Sequence, residues 1–263
     1  MIFILPSIYY NFEDNVNILD MYSNTVKIKG IEGNFPSNIM CGGINALDTR
    51  YFALYDDIVD CVNSYSIPSK MLFVDCGNLF LNEKEYLNRF DKILFEEWEN
   101  NDSAYYEIAD FNLIDYVVKR YPNIQIALHQ NALLRYNLKE IQDKIDNCKN
   151  IKYIILPRRY AHLKVKGVQK IYLMSFTKCR DCVNYCDCLS EESHYILEYS
   201  GHSTFRNCTK RFYKDDNEFF EEYRNIPKDF SYVLFDDIIP EDANESYTLM
   251  INLFERGLKN DLL

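Results

Sequence analysis

The chain has 263 residues, a formal net charge of −11 and a pI near 4.9, and 48% of its residues are hydrophobic, with 17 Phe and 22 Tyr. Such a chain can bury a large core and is no disordered tail, and its 8 Gly and 7 Pro leave little material for a long flexible linker. A surface this acidic repels phosphate backbones and anionic lipid head groups, so neither nucleic acid nor membrane is expected as a partner.

The opening MIFILPSIYYNFED holds a short apolar run, broken by Pro6 and followed by acids. A secretory signal needs a basic start and about 7–15 apolar residues, and no run approaches the roughly 18 of a membrane span. Nine Cys without such a signal read as reduced thiols, which places the chain in the cytoplasm. Richness in Ile, Asn, Lys and Tyr suits an AT-rich genome, bacterial or viral.

Short β-branched or aromatic runs then alternate with stretches of helical period. Strands are expected at 2–5, 26–31, 70–75, 104–109, 124–129, 151–156, 169–174 and 230–235. Between them helices are expected at 16–22, 50–65, 83–98, 111–121, 138–148, 215–224 and 241–256, with a brief turn after Arg158. In the fourth of these, Leu113, Ile114, Val117 and Val118 form one stripe at 3.6-residue spacing, closed by Pro122 and Asn123. In the third, Glu83 and Glu85 follow Asn82, a suitable N-cap. Runs such as IKYIIL and IQIAL are apolar nearly throughout, as parallel strands covered on both faces should be. Eight strand–helix units in this length predict one TIM-like (β/α)8 barrel domain over 1–263, with a Cys-rich loop at 175–212. An open doubly wound sheet is the alternative, because periodicity does not distinguish closure from a free edge.

In such barrels the reactive groups gather beyond the C-terminal ends of the strands. Residues at those ends are Glu32, Asp75, Asn78, Asp110, His129, Gln130, Asn131, Arg158, Arg159, Asp236 and Asp237. His129 ends an apolar strand and precedes two amides, so it is an acid–base candidate, against a structural histidine in the barrel mouth. Asp75 and Glu32 form a carboxylate pair or a cation site, or else pair with Arg158 or Arg159. Four of the eight Gly lie in GIEGNFPSNIMCGG, a tightly shaped loop that cradles a ligand or simply turns. It lacks the G-x-x-x-x-G-K-S/T phosphate spacing. The cations Arg158, Arg159, Lys164, Lys166 and Lys170, with Lys210 and Arg211, read as solvated surface ahead of a basic patch.

The strongest local signal is TKCRDCVNYCDC, which places Cys179, Cys182, Cys186 and Cys188 within ten positions, with His194, His202 and Cys208 downstream. Thiolates two to four residues apart can converge on one centre, and soft sulfur donors suit an iron–sulfur cluster or zinc. Unligated thiols or a redox pair are the alternative. Cys61, Cys76 and Cys148 read as buried thiols, and Cys41 as a residue within reach of the barrel mouth.

Four stretches together resemble the collagenase-like peptidase superfamily, whose relatives include ubiquinone-biosynthesis and RNA hydroxylation proteins. They are GNFPSNIMCGG, MLFVDCGNLFLNEKE with Asn78, IADFNLIDYVVKRYPNIQIALHQN, and Cys182-x3-Cys186 with His194 after the seventh strand. The resemblance implies a β/α barrel and, in several members, an iron–sulfur cluster held by four cysteines. The chain departs from that pattern at Cys41, where many relatives have Asn. It departs again in DFSYVLFDD, which lacks the family's Lys and Gly-Arg elements.

Three functions follow as expectations. The first is an enzyme acting on a small molecule or peptide, with a cysteine-ligated iron–sulfur cluster or zinc. The second is a hydrolase, lyase or hydratase using His129 with Asp75 or Glu32 as acid and base, in which the cysteines are structural. Asn78 and Arg158 are further catalytic candidates, and Cys41 is the cofactor-binding candidate. The third is a non-catalytic scaffold on a degenerate barrel.

Overall fold

The computed structural model describes residues 1–6, 12–34, 69–74, 104–130, 132–175, 215–236 and 243–260. Its strands are β1 (Ile2–Leu5), β2 (Ile28–Asn34), β3 (Ser69–Val74), β4 (Ala104–Ile108), β5 (Gln125–Leu128), β6 (Ile151–Pro157), β7 (Gln169–Ser175) and β8 (Phe230–Asp236). Its helices are α1 (Phe12–Tyr22), α2 (Phe111–Arg120), α3 (Ala132–Arg135), α4 (Leu138–Asn147), α5 (Asp216–Arg224) and α6 (Ala243–Lys259), with a 3-10 turn at Arg158–Tyr160. Each strand pairs in parallel with the next, and β8 pairs with β1 through Ile2↔Tyr232, Phe3↔Val233 and Ile4↔Leu234. The ring is closed, as a TIM-like barrel requires.

Alternation along the strands sorts side chains to two faces. Phe3, Tyr106, Ile126, Ile154, Tyr172, Val233 and Phe235 face outward and pack with the helices in the larger of two apolar clusters. Ile4, Tyr105, Ala127, Tyr153, Ile155, Ile171, Leu173, Tyr232 and Leu234 fill the ring itself. The seam between first and last strands is covered by rings. Phe3 stacks on Phe235 with centroids 5.6 Å apart and meets Phe254 of α6 edge-on at 5.0 Å. All three are buried, and each such pair adds about 0.5–1.5 kcal/mol beyond the area it buries.

Local chemistry accounts for the helix boundaries. Asp110 caps α2 by accepting from Leu113 N at 2.9 Å. Asn137 and Glu140 form a reciprocal capping box at the start of α4. Asp215 accepts from Asn217 N and Glu218 N ahead of α5. Cys148 closes α4 as a buried free thiol, as expected of it.

Several boundaries differ from the sequence expectation, most informatively at β2. Val26 is not in β2: its N–H bonds Tyr22 O in the turn that ends α1, and the strand instead runs on through Gly33 and Asn34. Pairing of Glu32, Gly33 and Asn34 with Met71, Leu72 and Phe73 outweighs the poor strand propensity of Gly and Asn. The four-residue α3 has too little length for a periodic signal and was not foreseen. The helices expected at 50–65 and 83–98 lie outside the described residues.

Candidate functional site

Interior side chains fall in layers drawn from alternate strands, the usual filling of such a ring. The floor layer, near the strands' N-terminal ends, comes from the even strands: Lys29, Tyr105, Tyr153 and Tyr232. Above it lie Ile4, Ala127 and Ile171, then Ile155 and Leu234. Glu107 occupies the β4 position of that last layer, since it shares the face of Tyr105 and registers with inward-facing Ala127. It is 1% exposed. His129 continues the inward row of β5 one layer higher, level with Leu173, and its N–H still bonds Ile108 O at 3.2 Å.

The turn after β5 holds this end rigid. His129 O accepts from Ala132 N at 3.0 Å and Gln130 O from Leu133 N at 2.9 Å, so both carbonyls join the start of α3. His129 and Gln130 are buried together. Burial, reinforced by the nearby charge of Arg135, lowers the His129 pKa to about 3. The ring is neutral throughout the physiological range, able to donate or accept a hydrogen bond but not to store a proton. Arg135 also lies 3.9 Å from Asp110 Oδ2, whose other oxygen caps α2. Phe111 and Tyr136 stack with centroids 3.6 Å apart, and Phe111 N donates to the Tyr136 hydroxyl at 3.2 Å. Those contacts lock α2 to the segment carrying Arg135.

The other expected site residues are distributed differently. Arg158 donates from Nη1 to Glu222 Oε2 at 3.0 Å, and Tyr172 donates to Glu222 Oε1 at 3.0 Å. Tyr172 faces outward and Glu222 belongs to α5, so the guanidinium of Arg158, just beyond the end of β6, turns toward the strand–helix layer. The cause is a buried carboxylate that would otherwise face apolar surroundings. Burial, then the Glu222 charge, raises the Tyr172 pKa. The neighbouring cations are likewise divided: Lys170 donates to Leu163 O at 2.7 Å and Asp229 Oδ2 at 2.6 Å, and this hydrogen bond holds the Asp229 carboxyl below its usual range.

Glu32 is placed in β2, opposite Met71 of β3. Asp75, Asn78, Cys41, Cys179, Cys182, Cys186, Cys188 and Cys208 lie outside the described residues, as does the 176–212 part of the Cys-rich loop. Among the described residues no group of three or more His, Cys, Asp or Glu is arranged to hold a metal ion, and none of their helices is long and apolar enough to cross a membrane.

Glu107 was missed by the sequence reading, and a signal for it existed. In AYYEIA the strand period puts Tyr105 and Glu107 on one face, and a carboxylate in a strand buried on both sides is rare enough to single out.

No protein-family model matches the chain, and no curated protein matches it. Solved structures do. The U32 peptidase Mk0906 superposes with a TM-score of 0.56 at 12% identity, over 91% of this chain and 94% of that one. A protein from Aquifex aeolicus VF5 superposes with a TM-score of 0.50 at 11% identity, over 97% of this chain and 92% of that one. The resemblance to a collagenase-like peptidase is therefore one of fold.

Proposed function

We propose that the protein is an enzyme acting on a small molecule or a peptide at the C-terminal mouth of its barrel. The observation that carries this is the burial of Glu107, His129 and Gln130 at that end of two adjacent strands, where the described interior residues also include Ile155, Leu173 and Leu234. Buried ionisable groups gather where chemistry needs them. Glu107 is the proton-transferring carboxylate in this reading. Neutral His129 orients and polarises the substrate by hydrogen bonding, and its low pKa argues against a proton-storing role. Burial, with the charge of Arg135 as the lesser cause, keeps the imidazole neutral.

The cysteine segment enters the proposal through its donor chemistry. Cys179, Cys182, Cys186 and Cys188, with Cys208 as a further candidate, offer enough thiolates for an iron–sulfur cluster or zinc. When bound, such a group would supply electron transfer or Lewis acidity, and Cys41 is the further residue assigned to contact it.

The test has two arms. Anaerobically purified protein is analysed for iron, sulfide and zinc beside a variant in which the four clustered cysteines are Ser. Metal present in the first and lost in the second supports ligation, and a metal-free wild type refutes it. The wild type, Glu107→Gln and His129→Gln are then run against peptide and small-molecule hydrolysis and hydration panels. Turnover that survives both substitutions removes the mouth as the active site.

A further inference from the structure

The floor of the ring holds a cation in an aromatic enclosure. Lys29 Nζ lies 4.8 Å from the centroid of Tyr105, 5.2 Å from Tyr153 and 4.6 Å from Tyr232. It donates to the Tyr153 hydroxyl at 3.2 Å and the Tyr232 hydroxyl at 3.1 Å, and Tyr153 passes its own proton on to Tyr105 at 2.8 Å. The rings of Tyr105 and Tyr232 each meet Tyr153 edge-on, at 4.4 and 5.6 Å. An ammonium among three rings, with two phenolic oxygens accepting from it, has the donors and aromatic surroundings in which an alkylammonium ligand is bound. The backbone is arranged to deliver this cation. Phe3 registers with Ile28 and Ile4 with Gly30, so Lys29 is the extra residue of a β-bulge, a device that re-aims a side chain.

We propose that the barrel floor is a primary-ammonium binding site whose ligand is the chain's own Lys29, and that its occupancy ties β2 to β4, β6 and β8 across the ring. The site is independent of the reaction at the mouth. Its selectivity follows from the enclosure: the cation must be small enough to sit between three rings and must carry N–H donors for the phenols. Burial, then hydrogen bonding to Tyr105, raises the Tyr153 pKa, so this phenol keeps its proton near neutrality.

Lys29→Ala removes the three methylenes and the ammonium beyond Cβ, a fragment that n-propylammonium restores. Thermal unfolding of the full chain is measured for wild type and Lys29→Ala with n-propylammonium chloride, n-propanol or sodium chloride. The expected result is a melting temperature several degrees lower in the variant, restored saturably by propylammonium alone, with wild type unmoved. A variant that melts with wild type, or one that propanol or salt restores equally well, overturns the proposal. Where Lys29→Ala does not fold by itself, native yield on refolding from urea is read instead. A yield raised by propylammonium and not by propanol supports the site, and an equal yield overturns it. Lys29→Met, which retains the stem and loses the charge, must also melt below wild type.

Discussion

The floor and the mouth of the barrel both carry polar side chains in an apolar ring, and they differ in how those side chains are answered. At the floor, Lys29, Tyr105, Tyr153 and Tyr232 are joined directly to one another, one residue from each even strand. At the mouth, Glu107 and His129 come from adjacent strands, at their C-terminal ends. A polar layer whose members satisfy one another specifies closure. One at the C-terminal strand ends lies where the chemistry of such barrels gathers. Polarity inside a barrel is thus not in itself a site, and what matters is where the partners come from.

Substitutions can break or sharpen that contrast. The largest effect is expected at the mouth: His129→Gln should lower turnover by about 10²–10⁴-fold, the range for a positioned catalytic group, while circular dichroism and melting show a folded barrel. Near-wild-type turnover would assign His129 to structure alone.

Next in size is an acid effect. With a folded pKa near 3 against an ordinary 6.5, His129 binds its proton in the unfolded chain before the folded one. Its contribution is complete above pH 6.5 and is lost as pH falls toward 3, with a slope of up to about 1.4 kcal/mol per pH unit. Urea midpoints between pH 6.5 and 4 should therefore fall more steeply in wild type than in His129→Gln. Parallel slopes would show that the imidazole is not held neutral.

A smaller loss is expected outside the ring. Glu222→Ala leaves the Tyr172 hydroxyl and the Arg158 guanidinium without their shared carboxylate, at a cost of about 1–3 kcal/mol by urea unfolding. Turnover per folded molecule should stay unchanged, and a specific loss would return Arg158 to the mouth. The smallest effect belongs to the floor. Tyr153→Phe removes one acceptor for Lys29 and the donor to Tyr105, costing about 1 kcal/mol, again without change in turnover. Lost activity there would erase the distinction between the two ends.

Much of the frame was legible because burial on both faces leaves a coarse mark. All eight strands follow from short apolar runs between helical stretches, and 2–5 matches β1 residue for residue. The helix with Leu113, Ile114 and Val117 on one stripe buries those three. His129 was legible as a strand-end histidine. Glu107 was hidden inside a strand, where the search for chemistry at strand ends does not look. The pairing of Arg158 with Glu222 was not legible, because the two lie 64 residues apart in the chain. Lys29 carried no local signal at all, since its significance depends on three tyrosines from three other strands.

By itself, the sequence determined the alternation of strands and helices, the apolar faces and the capped helix starts, because these depend on residues within one or two turns of each other. Only the tertiary structure decided that β8 meets β1, that the bulge turns Lys29 into the ring, and that Glu107 and His129 share its interior. Those outcomes rest on register between strands far apart in the chain, and a register shift of a single residue would send each of these side chains to the opposite face.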